Sequence, residues 1–145
     1  MKKHKLITLS VLIFALCQIS FLGRFANAEM GTSVFAFQPN PRAMQQYDLR
    51  PVSELSKILY LLDLFQGTDI VIVYDGMEYN SKVALKYSRE YVARHYKNQK
   101  AKDWILKNAS KSLESMKPIY VKNAEGILKP LSEVLVEELK KLETK

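Results

Sequence analysis

The chain contains few of the residues that catalytic and metal-binding sites usually require. Its 145 residues include one cysteine, two histidines and five glycines. A zinc site needs three or four ligands, most often histidine and cysteine, and a phosphate-binding loop needs several closely spaced glycines. We therefore predict no metal site, no phosphate loop and no cofactor.

The first 28 residues have the pattern of a secretory signal peptide. Three lysines within the first five residues precede an apolar stretch from Leu6 to Leu22, and the small residues Ala26 and Ala28 follow it. We expect cleavage after Ala28 and a periplasmic or secreted protein. An uncleaved membrane anchor is the competing interpretation, because the apolar stretch approaches the length that spans a bilayer. The small residues at the cleavage positions argue against it, so we expect no stable anchor after cleavage.

Cleavage would also remove the only cysteine, Cys17, and one of the two histidines, His4. The mature chain would then have no thiol and no disulfide, although its compartment permits disulfides. His95 would remain, next to Arg94 at the end of a predicted helix and without a recognisable nucleophile motif. Because a cationic side chain is favourable at that end of a helix, we assign His95 a capping or packing role and predict no catalytic residue.

Basic residues are concentrated in the middle of the mature chain. Residues 82–122 contain 11 lysines and arginines but three acidic residues. Outside the cytoplasm we expect no nucleic acid as a partner, so the anions available to this segment are lipid headgroups, acidic envelope polymers or another protein. A solvated helical face that keeps the domain soluble is the simpler interpretation of the same charges.

Composition divides the mature chain into an arm and one domain. Residues 29–50 have no hydrophobic period and contain two prolines, which predicts a flexible N-terminal arm. Residues 51–145 are enough for a single domain. This domain opens with a helical pattern of apolar residues three and four positions apart, at Leu55, Ile58, Leu59, Leu62 and Phe65. Ser53 is a suitable N-cap for that helix and Gly67 a suitable stop.

The stretch VIVYDGMEY, residues 71–79, predicts a β-hairpin. The β-branched and aromatic residues from Ile70 to Tyr74 indicate one strand, and Met77 to Tyr79 indicate the returning strand. Between them, Asp75 and Gly76 are the pair that favours a two-residue type I′ turn, which requires positive φ at both positions. Turn geometry alone therefore explains both residues.

Helical spacing then returns twice. The first of these helices is expected to begin at Asn80 or Ser81, with an inner face of Ala84, Tyr87, Ser88, Tyr91 and His95. The next is expected around Lys100 to Ser112, with an inner face of Ala101, Trp104, Ile105, Ala109 and Ser112.

A second hairpin and a last helix complete the predicted domain. Ile119 to Val121 and Ile127 to Lys129 indicate the two strands, and Ser132 is the expected cap of the helix. Its inner residues are expected to be Leu135, Val136, Leu139 and Leu142. The predicted fold class is α+β, a small single domain of about four helices and two short hairpins in the order α-ββ-α-α-ββ-α.

Non-enzymatic binding is the leading functional hypothesis. Tyrosine and arginine are enriched at recognition surfaces, and several tyrosines lie in or beside the basic segment. We predict that the protein binds an anionic envelope component or another protein through Lys86, Arg89, Arg94, Tyr96 and Tyr120. Tyr87 and Tyr91, one helical turn apart, are instead predicted to belong to the core.

An envelope hydrolase is the alternative hypothesis. Four carboxylates lie in or near the first hairpin turn, namely Asp63, Asp69, Asp75 and Glu78. Their spacing matches no calcium loop, but Asp75 and Glu78 could serve as an acid-base pair. A serine with lysine as its base is the second route, because Ser112 and Ser115 lie in a segment that is also rich in lysine.

The order of several short motifs resembles a known family. The motifs are YDGMEY (74–79), AKDWILKNASKS (101–112), PIYV (118–121) and PLSEVLVEEL (130–139). Over about residues 54–142 the chain resembles the YfeK-like group, small secreted bacterial proteins of unknown function. The resemblance implies a bacterial, periplasmic protein that shares the group's fold, and it brings no catalytic residues. Two positions depart from the group: Asp75 replaces a common asparagine, and Met116 stands where glycine is usual, which argues against a tight serine loop.

Overall fold

The computed structural model describes Phe35 and residues 38–145. The predicted signal peptide, its cleavage at Ala28 and the first part of the predicted arm lie outside the described residues. Within the described part of the chain, no helix is long and apolar enough to cross a bilayer.

Five helices and four strands make up the described domain, which confirms the α+β class and the predicted order of the hairpins. The helices are α1 (Ala43–Asp48), α2 (Glu54–Leu64), α3 (Ser81–His95), α4 (Ala101–Asn108) and α5 (Leu131–Glu143). The strands are β1 (Val71–Tyr74), β2 (Met77–Asn80), β3 (Tyr120–Lys122) and β4 (Leu128–Pro130). They form one antiparallel sheet in the order β2-β1-β3-β4, so the two hairpins pair through β1 and β3.

The first hairpin has the turn that its sequence predicts. Asp75 and Gly76 have φ values of +53° and +82°, and Tyr74 pairs directly with Met77 across the turn. Positive φ at both central residues matches the right-handed twist of the flanking strands, which is why this turn type suits a tight hairpin.

Helix α2 lies at the centre of the helical layer and contacts all four other helices. It begins as predicted, because the Ser53 side chain accepts a hydrogen bond from the backbone N–H of Ser56 at 3.1 Å. Ile58 and Leu61 are each only 1% exposed, so both contribute to the core. Burying such side chains is the main favourable term in folding a domain of this size.

Helix α4 buries all five residues of its predicted inner face, from Ala101 to Ser112, although the helix itself ends at Asn108. Its N-terminus is held by α2, since the Ala101 N–H donates to the Glu54 carboxylate at 2.7 Å. This backbone hydrogen bond is the main reason that the pKa of Glu54 is lowered, and Lys57 adds to the effect. A residue 47 positions earlier thus caps the helix.

Helix α3 is rotated relative to its predicted inner face. Ser81, Leu85 and Val92 are buried, whereas Tyr87 is 62% exposed and His95 is also exposed. The prediction placed aromatic residues inside, but the aliphatic side chains face the core instead. Tyr87 is therefore a surface residue, and the prediction for it was wrong. Tyr91 is half-buried and packs against the core, as expected.

A short helix lies within the segment that the sequence predicts to be a flexible arm. In α1, Ala43 is only 1% exposed, and Tyr47 packs edge-on against Tyr60 of α2 at 5.4 Å between ring centroids. The backbone N–H of Asn40 also donates to the Leu64 carbonyl at 2.8 Å. The packed domain therefore begins before Pro51, because α2 offers both an apolar surface and a free carbonyl at its C-terminal end.

Helix α5 begins without the predicted Ser132 cap. Its N-cap position is Pro130, the last residue of β4, and no side chain caps the helix. The Leu131 N–H instead donates to the Ile119 carbonyl at 2.9 Å. Sheet pairing therefore determines where this helix starts. Among the predicted inner residues, Leu135, Leu139 and Leu142 are buried and Val136 is partly buried.

Candidate functional site

The five predicted binding residues do not form one surface of free side chains. Lys86 and Arg94 are exposed on α3, as the prediction requires. Tyr96 is half-buried against the core, and its hydroxyl donates to the Gln99 carbonyl at 3.1 Å. Tyr120 is half-buried on β3. Tyr96 and Tyr120 therefore offer only part of their side chains to a partner.

Arg89, the fifth predicted residue, belongs to an ion-pair cluster. Its guanidinium contacts one carboxylate oxygen of Asp63 at 2.7 Å, and the guanidinium of Arg50 contacts the other at 2.6 Å. Arg89 also donates to the Gln66 side chain at 3.0 Å. The Asp63 side chain is only 3% exposed, so its charge requires these cations. Arg89 therefore ties α3 to α2 and contributes less free charge to the surface than the sequence suggests.

The exposed surface of α3 nevertheless carries a basic patch, which we call the basic helix face. Its members are Lys82, Val83, Lys86, Tyr87, Glu90 and Arg94. Helical spacing of three and four residues places them side by side, opposite buried Leu85 and Val92. The single acidic member, Glu90, lies 3.8 Å from Arg94. Lys82 and Lys86 make no ion pair with any described residue, so their charges are available to a partner.

A second candidate site joins the first hairpin turn to residues 110–118, which we call the serine loop. Ser115 donates a short hydrogen bond to the Asp75 carboxylate, and the hydroxyls of Ser112 and Ser115 lie 3.0 Å apart. The Leu113 N–H donates to the Tyr74 hydroxyl at 3.1 Å. The structure thus brings together Asp75 and the two serines, which the sequence analysis assigned to separate routes to hydrolysis.

The serine loop is tight despite the methionine at its bend. Met116 adopts φ of +59°, a conformation that glycine reaches more easily. The Ser112 N–H donates to the Lys117 carbonyl at 2.8 Å and closes the loop, while the Ser115 N–H donates to the Ser112 hydroxyl at 3.2 Å. The expectation that Met116 argues against a tight serine loop was wrong, because these hydrogen bonds hold its backbone in the required conformation.

The chemistry at Asp75 favours a structural contact over catalysis. Hydrogen bonds from Ser112 and then Ser115 lower the pKa of the Asp75 carboxyl, with a smaller contribution from Lys117. A carboxylate with a lowered pKa holds a proton weakly and is therefore a poor general base. The contacts instead fix the hairpin turn against the serine loop, as donors to a carboxylate do.

The four carboxylates near the first hairpin are not gathered into one site. Asp63 is buried between arginines, Asp75 accepts from serines, and Glu78 forms an ion pair with Lys122 on β3. Each member of the predicted acid-base pair is therefore already bound to another residue, Asp75 to Ser115 and Glu78 to Lys122. Among residues 38–145 no cluster of three or more His, Cys, Asp or Glu side chains could hold a metal ion.

A cleft of about 420 Å³ lies between α2, α5 and the segment before α1. Tyr60, Leu64 and Val134 line its apolar part, while Glu137, Glu138, Lys141 and Lys145 contribute charges of both signs. Burial raises the pKa of the Tyr60 phenol, and Glu138 adds to the effect, so the hydroxyl stays protonated. Because the charges at the rim of the cleft have both signs, the cleft does not indicate a ligand of one charge. Because the Tyr60 phenol is neutral, it does not indicate a base.

Four members of the basic helix face were not predicted as site residues, namely Lys82, Val83, Tyr87 and Glu90. The signal that could have found Tyr87 is the apolar pair Leu85 and Val92, which lie seven residues apart and define the opposite side of the helix. Comparison of the chain with family models, with curated proteins and with solved structures finds no match. The resemblance to the YfeK-like group stays a prediction.

Proposed function

We propose that the protein is a non-enzymatic binding module, exported to the periplasm or beyond the cell, that engages an anionic partner through the basic helix face. The partner class is an acidic envelope component or an acidic protein surface. The observation that carries the proposal is two exposed lysines, Lys82 and Lys86, which form no ion pair with a described residue and lie next to exposed Tyr87 on one helix. Buried Leu85 and Val92 hold that helix against the domain.

The composition of this face suits recognition more than solvation alone. A tyrosine supplies rigid contact area together with a polar tip, and the flanking cations supply attraction and orientation toward an anion. Tyr87 is 62% exposed beside Lys86, although a polar residue would solvate the helix equally well. The proposal therefore replaces Arg89, Tyr96 and Tyr120 with Lys82 and Tyr87 and keeps Lys86 and Arg94.

Charge reversal on the basic helix face tests the proposal. The triple variant Lys82→Glu, Lys86→Glu, Arg94→Glu spares Arg89, whose reversal would disturb Asp63 and confuse binding with folding. Purified residues 29–145 and the variant are immobilised and exposed to envelope extract, and bound material is eluted with rising salt. We expect the native domain to retain an anionic species that the variant loses.

A control with the same change of net charge separates a local surface from overall charge. Arg42, Lys140 and Lys145 are exposed and lie outside the basic segment, and none pairs with an acid in the part of the chain described here. Their reversal to glutamate should leave capture intact. Equal capture by the native domain and by the basic-face variant would contradict the proposal.

Hydrolysis of an envelope polymer remains a second candidate because Ser115 and Asp75 are in contact. In that case Asp75→Asn should abolish turnover of envelope polymers while the thermal unfolding midpoint stays near that of the native domain. Asp69→Asn serves as the matched control, because Asp69 is an exposed carboxylate that belongs to neither predicted route to hydrolysis. Absence of turnover by the native domain on such polymers would remove this candidate.

Export and cleavage are part of the proposal and have their own test. Expression of the full chain in a bacterium with an intact secretion system should yield a mature protein whose N-terminal residue is Glu29. Intact mass and N-terminal sequencing of the periplasmic and culture fractions measure this directly. Recovery of the full-length chain in the membrane fraction would support the anchor and contradict cleavage after Ala28.

A further inference from the structure

The basic helix face contains an uncharged strip beside its cations. Val83 and Tyr87 lie four positions apart on α3 and are 37% and 62% exposed. Side chains at this spacing adjoin on the surface of a helix, so the two form one continuous apolar surface, which we call the apolar strip. Because Tyr87 is a flat aromatic ring with a polar tip, the strip suits a partner that is itself partly apolar and partly polar.

One carboxylate lies among the cations of this face. Glu90 follows Lys86 by four positions and Tyr87 by three, so its side chain adjoins both on the helix surface. It is 46% exposed and lies 3.8 Å from the guanidinium of Arg94, which is longer than a hydrogen bond. An exposed ion pair at this distance contributes little to stability. The carboxylate oxygens of Glu90 are therefore available to accept hydrogen bonds from a partner.

Glu90 disfavours a partner whose contact surface is dense in carboxylates. Like charges placed against each other in an interface cost binding free energy and exclude the partner that carries them. A carbohydrate polymer with acidic groups differs, because each sugar also has hydroxyl donors and a ring face of C–H groups. The hydroxyls suit Glu90, and the C–H face suits the electron-rich face of Tyr87. The acidic groups are attracted to the exposed lysines.

We propose that the partner of the basic helix face is an acidic polysaccharide. Tyr87 packs against a sugar ring, and Glu90 accepts hydrogen bonds from sugar hydroxyls. Lys82, Lys86 and Arg94 attract the acidic groups. These residues extend along about 18 Å of the helix axis, a length that matches several sugar units and favours a polymer over a single sugar. The inference rests on the proposed function, because it names the partner of the same surface.

Binding of defined polymers to residues 29–145 tests the inference. This chain contains the whole compact unit Phe35–Lys145. Polygalacturonate has a carboxylate on every sugar, poly-L-glutamate has a carboxylate on every residue but no sugar, and dextran is a sugar polymer without charge. Isothermal titration calorimetry at low salt measures the Kd of each polymer. We expect polygalacturonate to bind about tenfold tighter than polyglutamate, and dextran not to bind.

Variants of Tyr87 test the contact with the sugar ring. Tyr87→Ala should weaken polygalacturonate binding about tenfold and leave polyglutamate binding unchanged. Tyr87→Phe keeps the ring and should retain most of the affinity. Leu128→Ala is the control, because Leu128 is 53% exposed on β4, at the sheet edge opposite β2. It should bind both polymers as the native domain does. The unfolding midpoint should stay native in all three variants, since these side chains are mostly exposed.

Glu90→Gln gives a second comparison, because the two acidic polymers should respond differently. Loss of the like charge should raise the affinity for polyglutamate about threefold. The affinity for polygalacturonate should not rise, because weaker hydrogen bonds to the sugar hydroxyls offset the reduced repulsion. Glu133→Gln is the matched control for the change in net charge, since Glu133 is exposed on α5 and forms no ion pair with a described residue. It should leave both affinities unchanged.

The outcomes separate this inference from the proposed function. Equal affinity for both acidic polymers, dextran binding as tight as polygalacturonate binding, or a preference that survives Tyr87→Ala would overturn the polysaccharide partner. An equal rise of both affinities in Glu90→Gln would also overturn it, because the face would then respond to charge alone. If polygalacturonate does not bind but the triple variant still loses an envelope species, the partner belongs to another anionic class and the proposed function stands. If the native domain captures nothing in either experiment, the proposed function is wrong as well.

Discussion

Asp63 and Asp75 lie twelve residues apart in the chain and use their charges in different ways. Asp63, on α2, is only 3% exposed and is held by Arg50 and Arg89. Asp75, in the hairpin turn, accepts hydrogen bonds from hydroxyl groups of the serine loop. Burial explains the difference, because the Asp63 carboxylate is almost completely removed from water and needs cations, whereas Asp75 is less buried and keeps its charge with neutral hydroxyl donors.

Asp63 and Asp75 have a similar role in the fold despite their different surroundings. Both carboxylates connect segments that are distant in sequence, although one oxygen of Asp75, Oδ2, is buried without a hydrogen-bond partner among the described residues. Arg89 is bound in the Asp63 cluster, whereas Lys82 and Lys86, which adjoin it on the surface of α3, keep their charges exposed. A cation that lies beside a structural carboxylate therefore stabilises the fold, whereas a cation without such a neighbour is available for binding.

The largest expected effect is loss of the Asp63 cluster. Asp63→Ala leaves two arginines without their carboxylate and should lower the free energy of unfolding by about 3 kcal/mol, the low end for a broken buried ion pair. The low end applies because the Arg50 and Arg89 side chains are 27% and 43% exposed and can regain water. Urea denaturation followed by circular dichroism measures the change.

Asp69→Ala is the control for that experiment, since Asp69 is exposed and forms no ion pair with any residue that the structure describes. Its stability should stay within about 0.5 kcal/mol of the native value. If Asp63→Ala and Asp69→Ala were equally stable, the Asp63 cluster would contribute nothing to the free energy of unfolding. The contrast between Asp63 and Asp75 would then be wrong.

A smaller effect is expected at the serine loop. Ser112 is only 1% exposed, and Ser112→Ala removes the acceptor of the Ser115 N–H along with a donor that acts on Asp75. We expect a loss of about 1 kcal/mol in the free energy of unfolding. Ser110→Ala is the matched control, because the Ser110 hydroxyl donates to the Leu106 carbonyl of the preceding helix α4 and not to Asp75. If Ser110→Ala lowered the free energy of unfolding as much as Ser112→Ala does, the contacts of Ser112 with Ser115 and Asp75 would have no particular importance for stability.

The smallest effect is a change in the pH dependence of stability at Asp75. Its hydroxyl donors lower its pKa below the ordinary 3.8, so the unfolded chain takes up this proton at higher pH than the folded one. The stabilisation is complete above the unfolded pKa and is lost as pH falls through the lower folded pKa. Stability should therefore decrease below about pH 4, and Asp75→Asn should remove part of that decrease.

Urea denaturation at several pH values from about 6 to about 2 measures the slope. Asn tolerates the positive φ of this turn, so Asp75→Asn should preserve the hairpin. Asp69→Asn, which removes a carboxyl without these donors, is the reference. Native and Asp75→Asn proteins with the same slope would show that the serines do not act on the carboxylate.

The sequence predicted most of the elements but little of the candidate site. The first hairpin, the Ser53 cap and the buried face of α4 follow from turn chemistry, capping and apolar spacing, all of which act within a few residues. Arg89 was predicted as a binding residue, yet its partner lies 26 positions earlier in the chain. The contact between Asp75 and Ser115 spans 40 positions. No local pattern encodes either pairing.

The sequence alone determined the α+β class, the order of both hairpins and the basic character of residues 82–122, because backbone propensity and charge are properties of neighbouring residues. Tertiary packing decided which side of α3 is buried, how part of the predicted arm joins the domain and which cations remain free. The physical reason is that burial depends on surfaces contributed by distant segments. A lysine becomes a binding group, or an arginine a structural one, only when the fold places a carboxylate within reach.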